Sequence, residues 1–128
     1  MFEARPIGVV RSPLTDRRQA PKQGTEGGAE AWLELDAEVA PGLTDIAVGD
    51  RVVLLTWLHE ADRGVLRVHP RDDPAGPETG VFSTRSADRP NPIGMHEVTV
   101  VEIDDGRVLV QHLEAVDGTP VLDIKPIL

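Results

Sequence analysis

The sequence predicts an all-β domain, a small barrel or sandwich of about seven short strands with long loops and little helix. Three observations lead there. Apolar stretches of strand length follow one another along the chain, separated by turns rich in Gly, Pro and Asp. The one helical signal spans a single turn. Apolar residues make up 40% of the 128 residues but aromatics only 3%, with no tyrosine, so the core is expected to be Val, Leu, Ile and Ala. One domain over residues 1–128 is expected from the length.

Pro6–Ser12 (PIGVVRS) reads as a first strand. Residues 13–29 have no apolar period and form a long loop, the kind that usually carries function or is disordered. Glu30–Asp36 (EAWLELD) alternates as a strand, with Trp32 expected as its heaviest buried residue. Pro41–Ile46 suits one helical turn with proline at the first position. Asp50–His59 (DRVVLLTWLH) is the most apolar piece and reads as a central strand buried on both faces. Val65–His69 is a short strand, and 70–79 a Pro-rich loop. Gly80–Ser83 is expected as a strand leading into an arginine segment. Ile93–Asp104 is a long strand, Asp105-Gly106 a hairpin turn, and Arg107–Leu113 the returning strand. Asp117-Gly118 makes a second turn before the last strand, Thr119–Ile124.

Composition excludes several classes of function. There is no cysteine, hence no disulfide, thiolate metal site or cysteine nucleophile. No glycine is followed by another two residues later, which removes the dinucleotide fingerprint and the phosphate-binding P-loop. His59-Glu60 opens like H-E-x-x-H, but Arg63 stands where the second histidine belongs, so the helix-borne zinc site fails. His69, His96 and His112 are scattered and read as surface or strand histidines. No metal site is expected. The start, MFEARPIG, has no signal-peptide core, and the run Val52–Leu58 falls far short of the ~20 residues of a membrane helix. The expected location is the cytoplasm. The net charge of −9 disfavours nucleic acid as a partner if it is spread evenly. It is not: residues 11–22 hold Arg11, Arg17, Arg18 and Lys22 against Asp16 alone.

The stretch Gly80–Gly94 (GVFSTRSADRPNPIG) carries the strongest functional signal. Arg85 and Arg89 sit on a backbone stiffened by Pro90 and Pro92, each of which fixes its own φ and extends the residue before it. A segment so restricted has little freedom to lose on binding. Three further groups lie at strand ends or in loops: Pro21-Lys22-Gln23, His59-Glu60, and Asp117-Gly118-Thr119-Pro120 with Asp123 and Lys125 after it. Cationic forks, carboxylates and amides in this mixture suit a polar, zwitterionic small molecule.

GVFSTRSADRPNPIG followed by DGTPVLDIKP resembles the signature pair of the TrmO family, and PIGVVRSP resembles its first strand. The resemblance runs from Pro6 to Pro126. It implies a small single-domain β-barrel, neither Rossmann-like nor knotted. It also implies an S-adenosylmethionine-dependent methyltransferase acting on N6 of threonylcarbamoyl-adenosine beside the anticodon of tRNA. Carried over residue by residue, the resemblance implies cofactor contacts from Pro21, Lys22 and Gln23; His59 and Glu60; Arg85; Met95; and Asp117, Gly118, Thr119 and Pro120. Lys22 stands where the family carries arginine, and Ile127 where it carries an aromatic. The family also implies tRNA as partner and a homodimer. His59, Glu60 and Asp123 are the candidates to accept a proton from the substrate nitrogen. Arg89, Asn91, Lys125, Arg17 and Arg18 are the candidates to meet the substrate. Two other readings stay open: a methyltransferase of this fold acting on another RNA or small molecule, and a non-catalytic S-adenosylmethionine- or nucleotide-binding module.

Overall fold

A computed structural model describes residues 1–15, 29–70 and 73–128. Arg17, Arg18, Pro21, Lys22 and Gln23 lie outside the described residues. The elements are β1 (Gly8–Arg11), β2 (Ala29–Leu35), a 3-10 turn (Ala40–Leu43), β3 (Arg51–Trp57), β4 (Arg67–Val68), β5 (Thr79–Gly80), a second 3-10 turn (Val81–Ser83), β6 (Ile93–Asp104), β7 (Arg107–Leu113) and β8 (Pro120–Pro126). Six strands close a barrel in the order β1-β2-β7-β6-β3-β8, and β4 and β5 form a separate two-stranded ribbon. The all-β barrel expected from the sequence is therefore present. No helix among the described residues is long and apolar enough to cross a membrane.

Every barrel pairing is antiparallel. One rim therefore gathers the ends of β1, β3 and β7 and the starts of β2, β6 and β8. Closure needs local breaks in register. Between Ala29 and Ala31 two steps of β2 face three of β7. There His112 takes a positive φ of 71°. This is a bulge, which bends a strand and re-aims the side chains beyond it. Comparable shifts occur between β6 and β7 near Val100 and between β3 and β8 near Leu55. At the other rim Asp105 (φ 41°) and Gly106 (φ 82°) make the expected hairpin turn, with both central residues in the left-handed region that such turns require.

The interior is aliphatic, as the composition predicts. Val10, Leu33, Leu54, Val98, Val110 and Val121 are almost completely enclosed, and no aromatic side chain joins the core.

Four local expectations are corrected. Trp32 is not the buried anchor of β2: Ala31 and Leu33 point inward, and Trp32 lies half-buried outside. Its ring is covered by the Arg107 guanidinium, 4.3 Å from the centroid. Arg107 donates to Asp104 Oδ2 at 2.8 Å, and that hydrogen bond is the main reason its pKa is raised. β3 is buried on one face only. Val52, Leu54 and Thr56 point in, while Val53, Leu55 and Trp57, on the outer face, are only partly buried among the described residues. Gly80–Ser83 is a strand only at Gly80; Val81–Ser83 is a 3-10 turn. The helical turn expected at Pro41–Ile46 is a 3-10 turn one residue earlier, closed by Thr44 Oγ1 donating to Pro41 O at 2.7 Å.

Candidate functional site

The rim that gathers the ends of β3 and β7 and the starts of β6 and β8 brings together most of the described candidates. His59 and Glu60 lie in the turn leaving β3. That turn is tied to the arginine segment by backbone: Leu58 N–H donates to Pro92 O at 2.8 Å. Arg63, which sequence reasoning missed, strengthens the tie. Its Nε donates to Pro90 O at 2.7 Å and its Nη2 to Asn91 Oδ1 at 3.0 Å. Its guanidinium also stands 5.1 Å from the Trp57 ring centroid. Asp62 N–H donates to Asp88 Oδ1 at 2.8 Å. The only signal for Arg63 in the sequence is its position four residues after His59.

Within the segment the two arginines divide their work. Arg89 is turned onto its own loop, with Nη1 donating to Thr84 O at 3.0 Å and Ser86 O at 2.9 Å. It fastens the bend that Pro90 and Pro92 stiffen. Arg85 is exposed, and its Nη2 donates to Met95 O at 3.3 Å. That bond uses one of the five N–H donors of a guanidinium, so a planar fork remains for a carboxylate. Met95 itself is 45% exposed, and Phe82, near the start of the same loop, is 80% exposed.

The DGTP segment is stitched to the exit of β1. Asp117 Oδ1 accepts from Ser12 N–H at 3.0 Å, and Asp117 N–H donates to Leu14 O at 2.6 Å. Gly118, at φ 85°, donates its N–H to Val10 O at 2.8 Å. Thr119 is buried, with Oγ1 donating to Val116 O at 2.7 Å. This segment therefore presents the exposed Asp117 carboxylate and a rigid Gly118-Pro120 backbone, while the threonine hydroxyl is turned inward.

Two candidates stand apart from the rim. Asp123 lies on the outer wall in the same row as Leu55 and Met95, two inter-strand steps or about 10 Å from Met95. Its Oδ1 accepts from Ile124 N–H at 2.9 Å, and its Oδ2 is 3.4 Å from Lys125 Nζ. Lys125 is further down the wall, paired with Val53, and the structure does not bring it to the rim. No cluster of metal-ligating side chains occurs among the described residues.

A second feature was not foreseen. His96 is a strand histidine, as expected, but it points into the barrel. Its Nε2 lies 2.7 Å from Thr56 Oγ1, and its Nδ1 2.6 Å from Glu114 Oε1. Thr56 is fully buried and His96 is 4% exposed. Only the parity of the strand (96 in phase with Val98 and Val100) could have shown it.

The chain is similar to known proteins in sequence and in structure. An S-adenosyl-L-methionine-binding protein of Archaeoglobus fulgidus is 42% identical over 121 residues, covering 94% of this chain and 86% of its own. A probable S-adenosyl-L-methionine-binding protein of the same organism is 45% identical over 98% of this chain, which spans only 34% of that longer protein. The crystal structure of TrmO from Pseudomonas aeruginosa superposes on the whole chain with a TM-score of 0.78 and 30% identity, this chain spanning 56% of it. Residues 9–128 match the family described as the tRNA-methyltransferase O N-terminal domain, and the chain belongs to that family.

Proposed function

We propose that this chain is an S-adenosylmethionine-dependent methyltransferase that modifies N6 of threonylcarbamoyl-adenosine in tRNA. The observation that carries the reading is the meeting at one rim of His59-Glu60, Arg85 with Met95, and Asp117–Pro120. That donor set fits the cofactor. The exposed Arg85 fork suits its carboxylate, Asp117 suits its ammonium or ribose hydroxyls, and the exposed Met95 and Phe82 offer apolar contact. Pro21, Lys22 and Gln23 complete the proposed contacts. Bound there, S-adenosylmethionine supplies a methyl group already activated on a sulfonium. The chain contributes position and the exclusion of water. The rigid bend from Arg89 to Pro92 holds Arg85 and Met95 in fixed relation. The proposed acceptor of the substrate nitrogen's proton is His59 or Glu60, at the end of β3, with Asp123, on the outer wall and apart from the rim, as the remaining candidate. Arg89, Asn91, Lys125, Arg17 and Arg18 remain the proposed substrate contacts; Arg89 would act through the loop it fastens.

We further propose a homodimer. Phe82 (80% exposed), Ile93 (49%) and Met95 (45%) leave apolar surface along the arginine segment and the start of β6, and Leu66 (61%) adds to it beside the β4-β5 ribbon. Such surface marks an interaction site when it is contiguous, and a second copy would cover it. Sedimentation equilibrium is expected to give twice the 13.9 kDa chain mass; a monomer mass at micromolar concentration would remove this part of the proposal.

The cofactor reading is tested by calorimetric unfolding with S-adenosylmethionine. At a hundred times its Kd, a ligand of the native state adds about 2.7 kcal/mol, so the midpoint should rise clearly; no rise sinks the reading. The substrate is tested by incubating the purified protein with tRNA bearing threonylcarbamoyl-adenosine and the cofactor. Mass spectrometry of the nucleosides should show one added methyl group. The net charge of −9 favours one rival, a methyltransferase of this fold acting on a small molecule. Cofactor binding without tRNA methylation would select it over the first reading.

A further inference from the structure

We infer that His96 and Glu114 form a positioning latch, which sets the spacing between the DGTP segment and the strand carrying Met95 and so governs affinity for the methyl donor. The inference rests on the cofactor reading above. Among the described residues, Thr56, His96 and Thr119 are the polar side chains enclosed in an interior otherwise aliphatic. Polar groups there are costly unless bonded, and an apolar set of similar volume would often serve stability as well or better. Stability alone therefore does not account for them.

Their bonding connects three pieces of the rim. With a neutral imidazole, Nδ1–H donates to the Glu114 carboxylate at 2.6 Å, and the Thr56 hydroxyl donates to Nε2 at 2.7 Å. The ring thus spans from β3, through β6, to the chain just after β7. His96 follows Met95, whose carbonyl accepts from Arg85. Glu114 precedes Asp117 by three residues. The latch is thus a short covalent path from both halves of the proposed cofactor site, while His96 itself is enclosed in the wall.

Past the bulge at His112 (φ 71°) Leu113 turns inward, and Glu114, just beyond the end of β7, reaches His96 from outside the strand's alternation. One detail shows that the backbone makes room for this pair. Gly94 leaves room for the ring: a Cβ there would lie 2.7 Å from His96 Nε2 and collide with Thr56 Oγ1. Glu114 Oε2 has no hydrogen-bond partner among the described residues. Glu114 is therefore tied to β6 by one short, charge-assisted bond, the strong kind, while Asp117 and Gly118 are tied to the exit of β1.

The test compares Glu114→Ala, Glu114→Gln and the apolar double variant His96→Leu/Glu114→Leu, each measured well below its unfolding midpoint. Calorimetry should show S-adenosylmethionine binding weakened about tenfold in Glu114→Ala, the loss of one hydrogen bond to a charged group. Glu114→Gln keeps an acceptor for Nδ1–H and should restore most of the affinity. The His96 Nδ1–H proton resonance should persist in Glu114→Gln and vanish in Glu114→Ala, where amide exchange at Gly118 and Thr119 should accelerate. Wild-type affinity and exchange in folded Glu114→Ala overturn the latch. If that variant does not fold, the double variant decides: weakened binding supports the latch and wild-type affinity overturns it. If the wild-type protein binds no S-adenosylmethionine, the cofactor reading is what fails, and the exchange rates still decide whether the latch exists.

Discussion

Gly94→Ala is expected to destabilise the barrel by about 3 kcal/mol, combining overpacking with disruption of a buried hydrogen bond. That corresponds to a fall in Tm of roughly 10 °C for a domain of this size. The cause is local and specific. The new methyl would collide with Thr56 Oγ1 and sit 2.7 Å from His96 Nε2 and 3.1 Å from Leu58 Cδ2. Thr56 cannot retreat, because it is fully buried and its strand is paired on both sides, to Gly94 in β6 and Val121 in β8. Gly42→Ala is the control. No atom lies within 4 Å of its would-be Cβ, and it should be neutral or slightly stabilising. Combining Gly94→Ala with Thr56→Ala should recover part of the loss, since the collision then disappears. Strict additivity of the two changes in a double-mutant cycle would show that the clash is not the cause.

Arg85→Ala should weaken S-adenosylmethionine binding about 30-fold, the magnitude of losing hydrogen bonds to a charged group. The fold should not suffer, because Arg85 is exposed and its one described hydrogen bond is the 3.3 Å contact to Met95 O. Arg85→Lys is the informative companion. It restores the charge without the planar fork, so it should recover only a small part of the affinity. Full recovery in the lysine variant would mean that Arg85 acts as a point charge. Unchanged affinity in a folded Arg85→Ala would remove it from the site. Titration at two salt concentrations separates the cases further, because exposed charge interactions are screened more strongly than fork geometry.

The two substitutions probe different levels of legibility. Arg85 stands out in the sequence because it sits on a stiff Pro-x-Pro segment in a family signature. Arg63 does not, although it clamps that segment through Pro90 and Asn91. Its partners are 27 and 28 residues away, and no local pattern links them. Arg89 shows the reverse difficulty. The sequence makes it as conspicuous as Arg85, yet its guanidinium is turned back onto Thr84 and Ser86. Two exposed-looking cations in one loop differ only in which carbonyls fall within reach.

By itself the sequence determined the class of fold, the aliphatic core, the Asp105-Gly106 hairpin and the family signature. Each is local or compositional: alternation, turn chemistry that demands positive φ, and contiguous motifs. The tertiary structure decided which way the strands face. In β2 Trp32 shares its row with Glu30 and Glu34, and burying the all-apolar row of Ala31 and Leu33 keeps both carboxylates on the outer face, so the indole stays outside with them. In β3 both faces are apolar, but among the described residues only the face of Val52, Leu54 and Thr56 is enclosed by the barrel. The tertiary structure also decided the meeting of His96 with Glu114. The pair joins segments 18 residues apart, and the bulge at His112 breaks the period of two just before Glu114, so alternation along β7 carries no information about that side chain.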